Sequence, residues 1–509
     1  MSDIVLAPAF GYHRRLCLAP GTAMRAGLRL QEMRFADARL AREAGATFAL
    51  AWPLILANLA VTVMTTTDYV MLGRLSPHAL AAGALGFNLY QPTFLLGLGV
   101  VAAASPIAAA KIGAREPVDN IRGAAHQALL SALVIAVPTW AFLSQTTAIL
   151  TAIGEPPDLA EDAGRYMWAF QWGLAPNLMF SASRGVFAAF ERPRPPLVAG
   201  LVAVVFNALA NYALIFGKFG LPALGVVGSG LATTLSQTLM FALLVLFSLI
   251  DPRLRRLRLF ALPWRPAPAE LAALWRLGLP IGLMIATEVG VFAAATLAMG
   301  LIGPATLEAH TAALQIAALA FMVPLGLGQA ASVRVGRGYG ARDRNAIAIA
   351  GIAAFGLTVA FAVFSATVMV AAPRPLISLF LDVGAPENAA AVGIAVAMLR
   401  IAAIFQIFDG SQATLANMLR GLHDSRLPLF IALVGYWGIG APVGVALGFA
   451  TPLGGVGVWI GLATSLAVVA ILLGARWLGK ARRGFFAPLR GQAATTAAAS
   501  GDSASERIP

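Results

Sequence analysis

The chain has 509 residues, 59% of them hydrophobic and only 12% charged, with a formal net charge of +13. A soluble globular domain carries about 25% charged residues, so this composition excludes a water-soluble protein held by a single anchor. The lone cysteine, Cys17, excludes an internal disulfide framework, and basic residues scattered over short loops exclude a continuous nucleic-acid-binding patch.

Residues 1–45 read as a basic amino-terminal extension with seven arginines and no early apolar core, so no cleavable signal is expected there. Met33 is an alternative start for the chain. Apolar runs then predict twelve helices, near 48–72, 80–110, 123–143, 163–190, 197–216, 222–250, 274–300, 305–335, 347–370, 390–420, 428–450 and 454–478. Runs of about 20 residues span roughly 30 Å of hydrocarbon at 1.5 Å per residue. The ten-residue alternating strands of an outer-membrane barrel are missing. The expected organisation is an all-α integral membrane protein with six helices in 46–250, a linker at 251–273, six more in 274–480, and a disordered tail at 481–509.

Basic residues alternate along this order. Of 36 Lys and Arg, 31 fall in the tails and the loops after even-numbered helices, four on the opposite side, and Arg400 within a span. The positive-inside rule puts both termini in the cytoplasm, as expected for a multi-pass protein of a bacterial inner membrane. Arg400 either snorkels or pairs with an acid.

The halves align at one constant offset, without a gap: Pro53 with Pro280, Gly73 with Gly300, Gly99 with Gly326, Ser105 with Ser332, and Gly113-Ala114-Arg115 with Gly340-Ala341-Arg342. Six helices separate the copies, so both have one orientation. The result is a parallel repeat about an axis along the membrane normal, with a transport route between the halves.

Three acids lie deep within apolar runs: Asp68, Glu288 and Asp409. A charge at the bilayer centre costs about 2.5–3.5 kcal/mol on insertion scales and so marks an ion or proton site. On the first helix, Asn58, Thr62, Thr65 and Asp68/Tyr69 share one face, and Pro53 can bend the helix or act as a hinge. Asn207 and Asn211 are one turn apart in the fifth helix, with amide oxygens able to ligate a cation or bond a protonated carboxyl. Gln406, Asp409, Gln412 and Asn417 form a second polar stripe, and aromatics including Phe405, Tyr436 and Trp437 could stack on a flat organic cation. A phosphate-binding loop ending in Gly-Lys-Ser/Thr is lacking, the five histidines have no metal-ligand spacing, and no nucleophile–base set is evident. A transporter without a cofactor, and not an enzyme, is expected.

Pro53-Leu-Ile-Leu-Ala-Asn58 through Asp68-Tyr-Val-Met-Leu-Gly73, Ala286-Thr-Glu-Val-Gly290, Phe405-Gln-Ile-Phe-Asp-Gly-Ser-Gln412 and Leu419-Arg-Gly-Leu-His-Asp424 followed by Tyr436-Trp437 together resemble the multidrug and toxic compound extrusion (MATE) family, in particular its NorM-like branch. The resemblance implies two six-helix lobes exporting amphipathic organic cations, as a monomer in the lipid bilayer, by antiport with Na⁺ or H⁺. It implies coupling sites at Asp68, Asn207 and Asn211 in one lobe and at Glu288 and Asp409 in the other, the latter being the place for Na⁺ should Na⁺ be the ion. Substrate contacts are expected from Asn58, Tyr69, Phe405, Gln406 and Gln412. Asn211 stands where related members often have Asp, and Phe405 where NorM-like members have Tyr; both differences count against Na⁺. The alternative is a lipid-linked oligosaccharide flippase of similar architecture, which needs a basic cavity where the deep charges here are mostly acidic.

Overall fold

The computed structural model describes the backbone of residues 20–486 and the side chains of 38–486 apart from Arg253. Among the described residues there is no β-strand. Eleven helices among the described residues are long and apolar enough to cross a membrane: α1 Ala38–Leu75, α2 Pro77–Gly113, α3 Val118–Leu143, α5 Arg194–Phe216, α6 Val226–Ile250, α7 Pro268–Ile302, α8 Pro304–Gly340, α9 Arg344–Ala371, α10 Pro386–Gly421, α11 Arg426–Phe449 and α12 Gly455–Arg482. The twelfth, α4, occupies residues 157–189 and is built from two helices, Pro157–Phe170 and Leu174–Ala189, joined by a 3₁₀ turn. Bulky apolar side chains remain exposed around the bundle, among them Val137 at 62%, Leu301 at 81% and Phe364 at 64%, which is the surface lipid tails require.

Local chemistry sets the boundaries. Ser76 caps α2, accepting from the Ala79 N–H at 3.0 Å with Pro77 at the first helical position. Asp343 caps α9 in the same way through Ala346. Gly225 and Gly454 enter α6 and α12 with nearly the same backbone, φ 56° and 52°, a conformation that glycine adopts without strain.

The expected helix at 163–190 needs correction: it begins at Pro157 and is broken at 171–173. Pro176 has no N–H, so the turn before it loses a helical bond. Neighbours supply the missing donors. Trp140 Nε1 donates to the Gln171 carbonyl at 2.8 Å, and the Thr234 hydroxyl donates to the Ala169 carbonyl at 2.8 Å. Backbone irregularity inside a membrane survives only with such partners. In α11, residues 434–440 widen into a π-turn, where the Ala441 N–H reaches back five residues to the Tyr436 carbonyl. Pro442 follows directly and disfavours the ordinary four-residue bond. At the carboxyl end, Phe485 is 6% exposed and packs on Trp477 with ring centroids 5.1 Å apart. Order therefore extends past 481, where the tail was expected to begin; residues 487–509 and 1–19 lie outside the described residues.

The twelve helices form two six-helix lobes, and their contacts carry the sequence repeat into three dimensions. α2 packs on α7 and α1 on α8. A methyl group on Gly99 would collide with Gly282, while one on Gly326 would sit 3.0 Å from the Ile55 nitrogen. The second pair is the repeat-related copy of the first, with its partners exchanged between the lobes. Likewise Gly113 abuts the Arg337 carbonyl and Gly340 the Ala110 carbonyl. A methyl group on Gly336 would sit 3.1 Å from the Ala109 Cβ; the two are equivalent positions in the repeat, so the pseudo-twofold axis passes between them.

These contacts lie in the half of the bundle that carries the arginine-rich loops. An ion-pair network closes the same end. Glu43 on α1 takes a bidentate bond from Arg334 on α8, at 2.7 and 2.5 Å, and Glu191 after α4 takes Arg334 and Arg337 at 2.7 and 2.5 Å. Lys111 on α2 pairs with Glu270 on α7 at 2.6 Å. The lobes are thus joined at the arginine-rich end.

Candidate functional site

Asp68 lies seven residues before the end of α1 and is 6% exposed. Its neighbours are α5 and α6. Asn207 and Asn211, one turn apart on α5, both donate through Nδ2 to its Oδ1, at 3.1 and 2.7 Å. Thr233 on α6 donates its hydroxyl to Oδ2 at 2.8 Å. The amide oxygens of Asn207 and Asn211 and the Ser229 hydroxyl are buried and have no hydrogen-bond partner. An unpaired buried polar atom costs about 1–3 kcal/mol. The unpaired oxygens of Asn207 and Asn211 belong to the two amides bonded to this carboxylate and are left for a further ligand. An aromatic wall flanks this acid: Tyr69 meets Phe87 edge-on at 6.1 Å, and Tyr90 meets Phe170 at 4.7 Å.

In the other lobe, Glu288 on α7 is half-buried and Asp409 on α10 is 5% exposed. One side-chain amide reaches both: Gln412 Nε2 lies 2.9 Å from Glu288 Oε1 and 3.5 Å from Asp409 Oδ1. Gln406 is fully buried with neither amide atom bonded, and the Gln412 amide oxygen and Tyr436 hydroxyl are unbonded too. The π-turn of α11 is tied to this spot, because Trp437 Nε1 donates to the Thr287 carbonyl at 3.2 Å. Among the described residues, no ion pair includes Asp68, Glu288 or Asp409.

The structure brings together Asp68 with Asn207 and Asn211, and Glu288 with Asp409 and Gln412. Asn58 stands apart from the Asp68 cluster, accepting from Arg184 Nη1 at 2.8 Å. Phe405, expected against substrate, is 1% exposed and wedged between Phe292 and Trp459, at 5.9 and 5.4 Å. In this arrangement its ring serves the lobe core; a buried face of α10 carries apolar residues at the same helical spacing as a cavity face. Pro53 lies within continuous α1, two residues from the Ile55 crossing with α8. Arg400 is exposed on α10 and has no acidic partner among the described residues. Sequence reasoning missed Thr233 as a partner of Asp68 and Arg184 as the partner of Asn58. The only signal for Thr233 was its place in the repeated Gly-Leu-Ala-Thr of 230–233 and 461–464, which marks packing and not a hydrogen bond across helices.

Two pseudo-symmetric six-helix lobes with carboxylates lacking any ion-pair partner in the membrane interior define an ion-coupled secondary transporter. The profile of the MatE family matches residues 53–213 and 280–446, once in each lobe and starting at the repeat-related prolines 53 and 280, and the chain belongs to that family. The probable multidrug resistance protein NorM of Mesorhizobium japonicum is 46% identical over 442 residues, which cover 87% of this chain and 95% of that relative. The probable multidrug resistance protein NorM of Brucella suis is 44% identical over 440 residues, covering 86% and 93%. Among solved structures, that of the eukaryotic MATE transporter AtDTX14 superposes with a TM-score of 0.76 at 22% identity, covering 88% of this chain and 99% of that one, a likeness of fold.

Proposed function

We propose that the chain exports amphipathic organic cations in exchange for Na⁺ or H⁺ by alternating access. The observation that carries this reading is the Glu288–Asp409 pair, bridged by one neutral amide and lacking any ion-pair partner among the described residues. Two negative charges in a dry bundle are costly, with the Arg420 guanidinium acting on Glu288 only from beyond ion-pair distance, and a cation or proton relieves them. Asp68, with the unpaired oxygens of Asn207 and Asn211, is a second such place in the other lobe, and Tyr69 and its aromatic neighbours offer faces for a drug cation. A flippase for pyrophosphate-linked sugars wants a basic cavity instead.

The arginine-rich end is assigned to the cytoplasm, with both termini inside, by the excess of basic residues there. Closure at that end is what an outward-facing arrangement requires. Ion or proton entry from outside neutralises the acids and releases the drug outward; return to the inward-facing state frees the ion and restores the charge. Ligands drive this only by binding the two states differently. Each charge entering through 100 mV in excess of the cargo's own supplies about 2.3 kcal/mol, enough for roughly a fifty-fold drug gradient, whereas one-for-one exchange of monovalent cations is electroneutral and draws on the ion's concentration gradient alone.

The test is uptake of a fluorescent organic cation by proteoliposomes under an imposed Na⁺ gradient and, separately, an imposed pH gradient. One gradient drives uptake and thereby names the ion. Asp409→Asn and Glu288→Gln are expected to abolish the driven component, and transport unchanged in both would refute the assignment.

A further inference from the structure

A cavity of about 530 Å³ opens at the arginine-rich end, outside the site described above. Its walls come from both lobes: α2 and α3 on one side, the start of α7 and the α10–α11 turn on the other. Ile107, Leu274 and Leu277 line its interior, and Lys111, Arg276 and Arg426 line it as well. Lys111 is already neutralised by Glu270 at 2.6 Å. Asp424, at the edge, is held by Arg476 and Lys480 at 2.9 and 3.1 Å. Arg276 and Arg426 take part in no ion pair among the described residues. Two unpaired guanidinium groups therefore stand over a mostly apolar chamber.

The surroundings of the chamber indicate what fits. Trp275, beside Arg276, anchors this start of α7 to α3 by donating its indole N–H to the buried Ser131 at 3.0 Å. On the two helices bordering the mouth, Leu279, Leu427 and Phe430 are 42%, 39% and 63% exposed, so the chamber continues into a lipid-facing surface. A soluble anion would use the arginines and gain nothing from the apolar walls. We propose that this cavity binds an anionic phospholipid of the adjoining leaflet, phosphate on Arg276 and Arg426 and acyl chain along Ile107, Leu274 and Leu277. The leaflet is the cytoplasmic one on the orientation proposed above. Because the walls belong to both lobes, a bound lipid adds a tie across the contact that must part when this end opens.

The test needs no transport, so it stands apart from the antiport reading. The purified full chain in detergent is offered equal phosphatidylglycerol and phosphatidylcholine, and retained lipid is counted by native mass spectrometry. Selective retention of phosphatidylglycerol is expected. R276A/R426A should weaken it about thirty-fold, at roughly fivefold per arginine beside an anionic headgroup, with phosphatidylcholine unaffected. R276K/R426K should keep most of it. Ala273→Trp, which leaves both arginines but fills the chamber, should expel the lipid, and it covers the case in which the double variant misfolds. Equal phosphatidylglycerol retention by wild type, R276A/R426A and Ala273→Trp would overturn the proposal. So would displacement of phosphatidylglycerol by millimolar inorganic phosphate, which would indicate a free-anion site.

Discussion

Glu43→Ala should open the arginine-rich end. Glu43 is the sole α1 ligand of Arg334 among the described ion pairs, and it takes two charge-assisted bonds from that one guanidinium. Hydrogen bonds to charged groups are worth about 1.5–3 kcal/mol each when buried. These side chains are 21% and 19% exposed, so solvent screening reduces the pair to about 2 kcal/mol in total. That corresponds to a factor of about 30 in the closed-to-open ratio. Starting from ~100:1, the open form would rise from about 1% to about 25%. Ala114 and Ala341 are exposed, at matched positions of the repeat and on opposite lobes, and Cys17 is the only native cysteine. On a Cys17→Ser background, spin labels at these two positions report lobe separation by double electron–electron resonance. The variant should gain a longer-distance population, and Glu43→Asp, which keeps a carboxylate opposite Arg334 and leaves its bond to Glu191 intact, should gain less of it. A distance distribution identical to that of the parent would refute the claim that this network holds the end shut.

Three further outcomes follow from the same geometry. Gln412→Leu keeps the side-chain volume but leaves Glu288 and Asp409 without their shared donor, so exchange should fall at least tenfold by the proteoliposome assay. Thr233→Val deletes one of three donors to Asp68 and should slow exchange about tenfold, whereas Thr233→Ser should not; equal rates for Val and Ser would show that the hydroxyl is idle. Gly340→Val pushes a side chain into the Ala110 carbonyl and should prevent closure, giving the long-distance population in the spin-label measurement even with Glu43 intact.

What could be read in the sequence was whatever depends on neighbours along the chain. Hydropathy located the helices because a span needs a continuous apolar run. The constant offset between the halves held because the pseudo-twofold contacts demand small residues at matched positions, as at Gly113 and Gly340. Asn207 and Asn211 were legible as a pair because four residues make one helical turn. Contacts between helices were not legible. The break at 171–173 depends on donors from Trp140 and Thr234, which are distant in sequence. Asn58 shares a stripe with Asp68, yet Arg184 claims it. Phe405 sits beside Gln406 on the chain, but Trp459 and Phe292 draw its ring into the lobe core.

The frame is duplicated while the acids are not. In the register that pairs Pro53 with Pro280, Asp68 falls on Ala295 and Glu288 on Val61. The acids therefore occupy different depths in otherwise matched lobes. Asp68 is seven residues, about 10 Å, from the end of α1 remote from the arginines, whereas Glu288 is fourteen residues, about 21 Å, from the corresponding end of α7. One acid thus lies nearer the end remote from the arginines, and Glu288 lies nearer mid-membrane. On the proposed antiport, that offset separates charge neutralisation at Asp68 from cargo release beside Glu288 and Asp409.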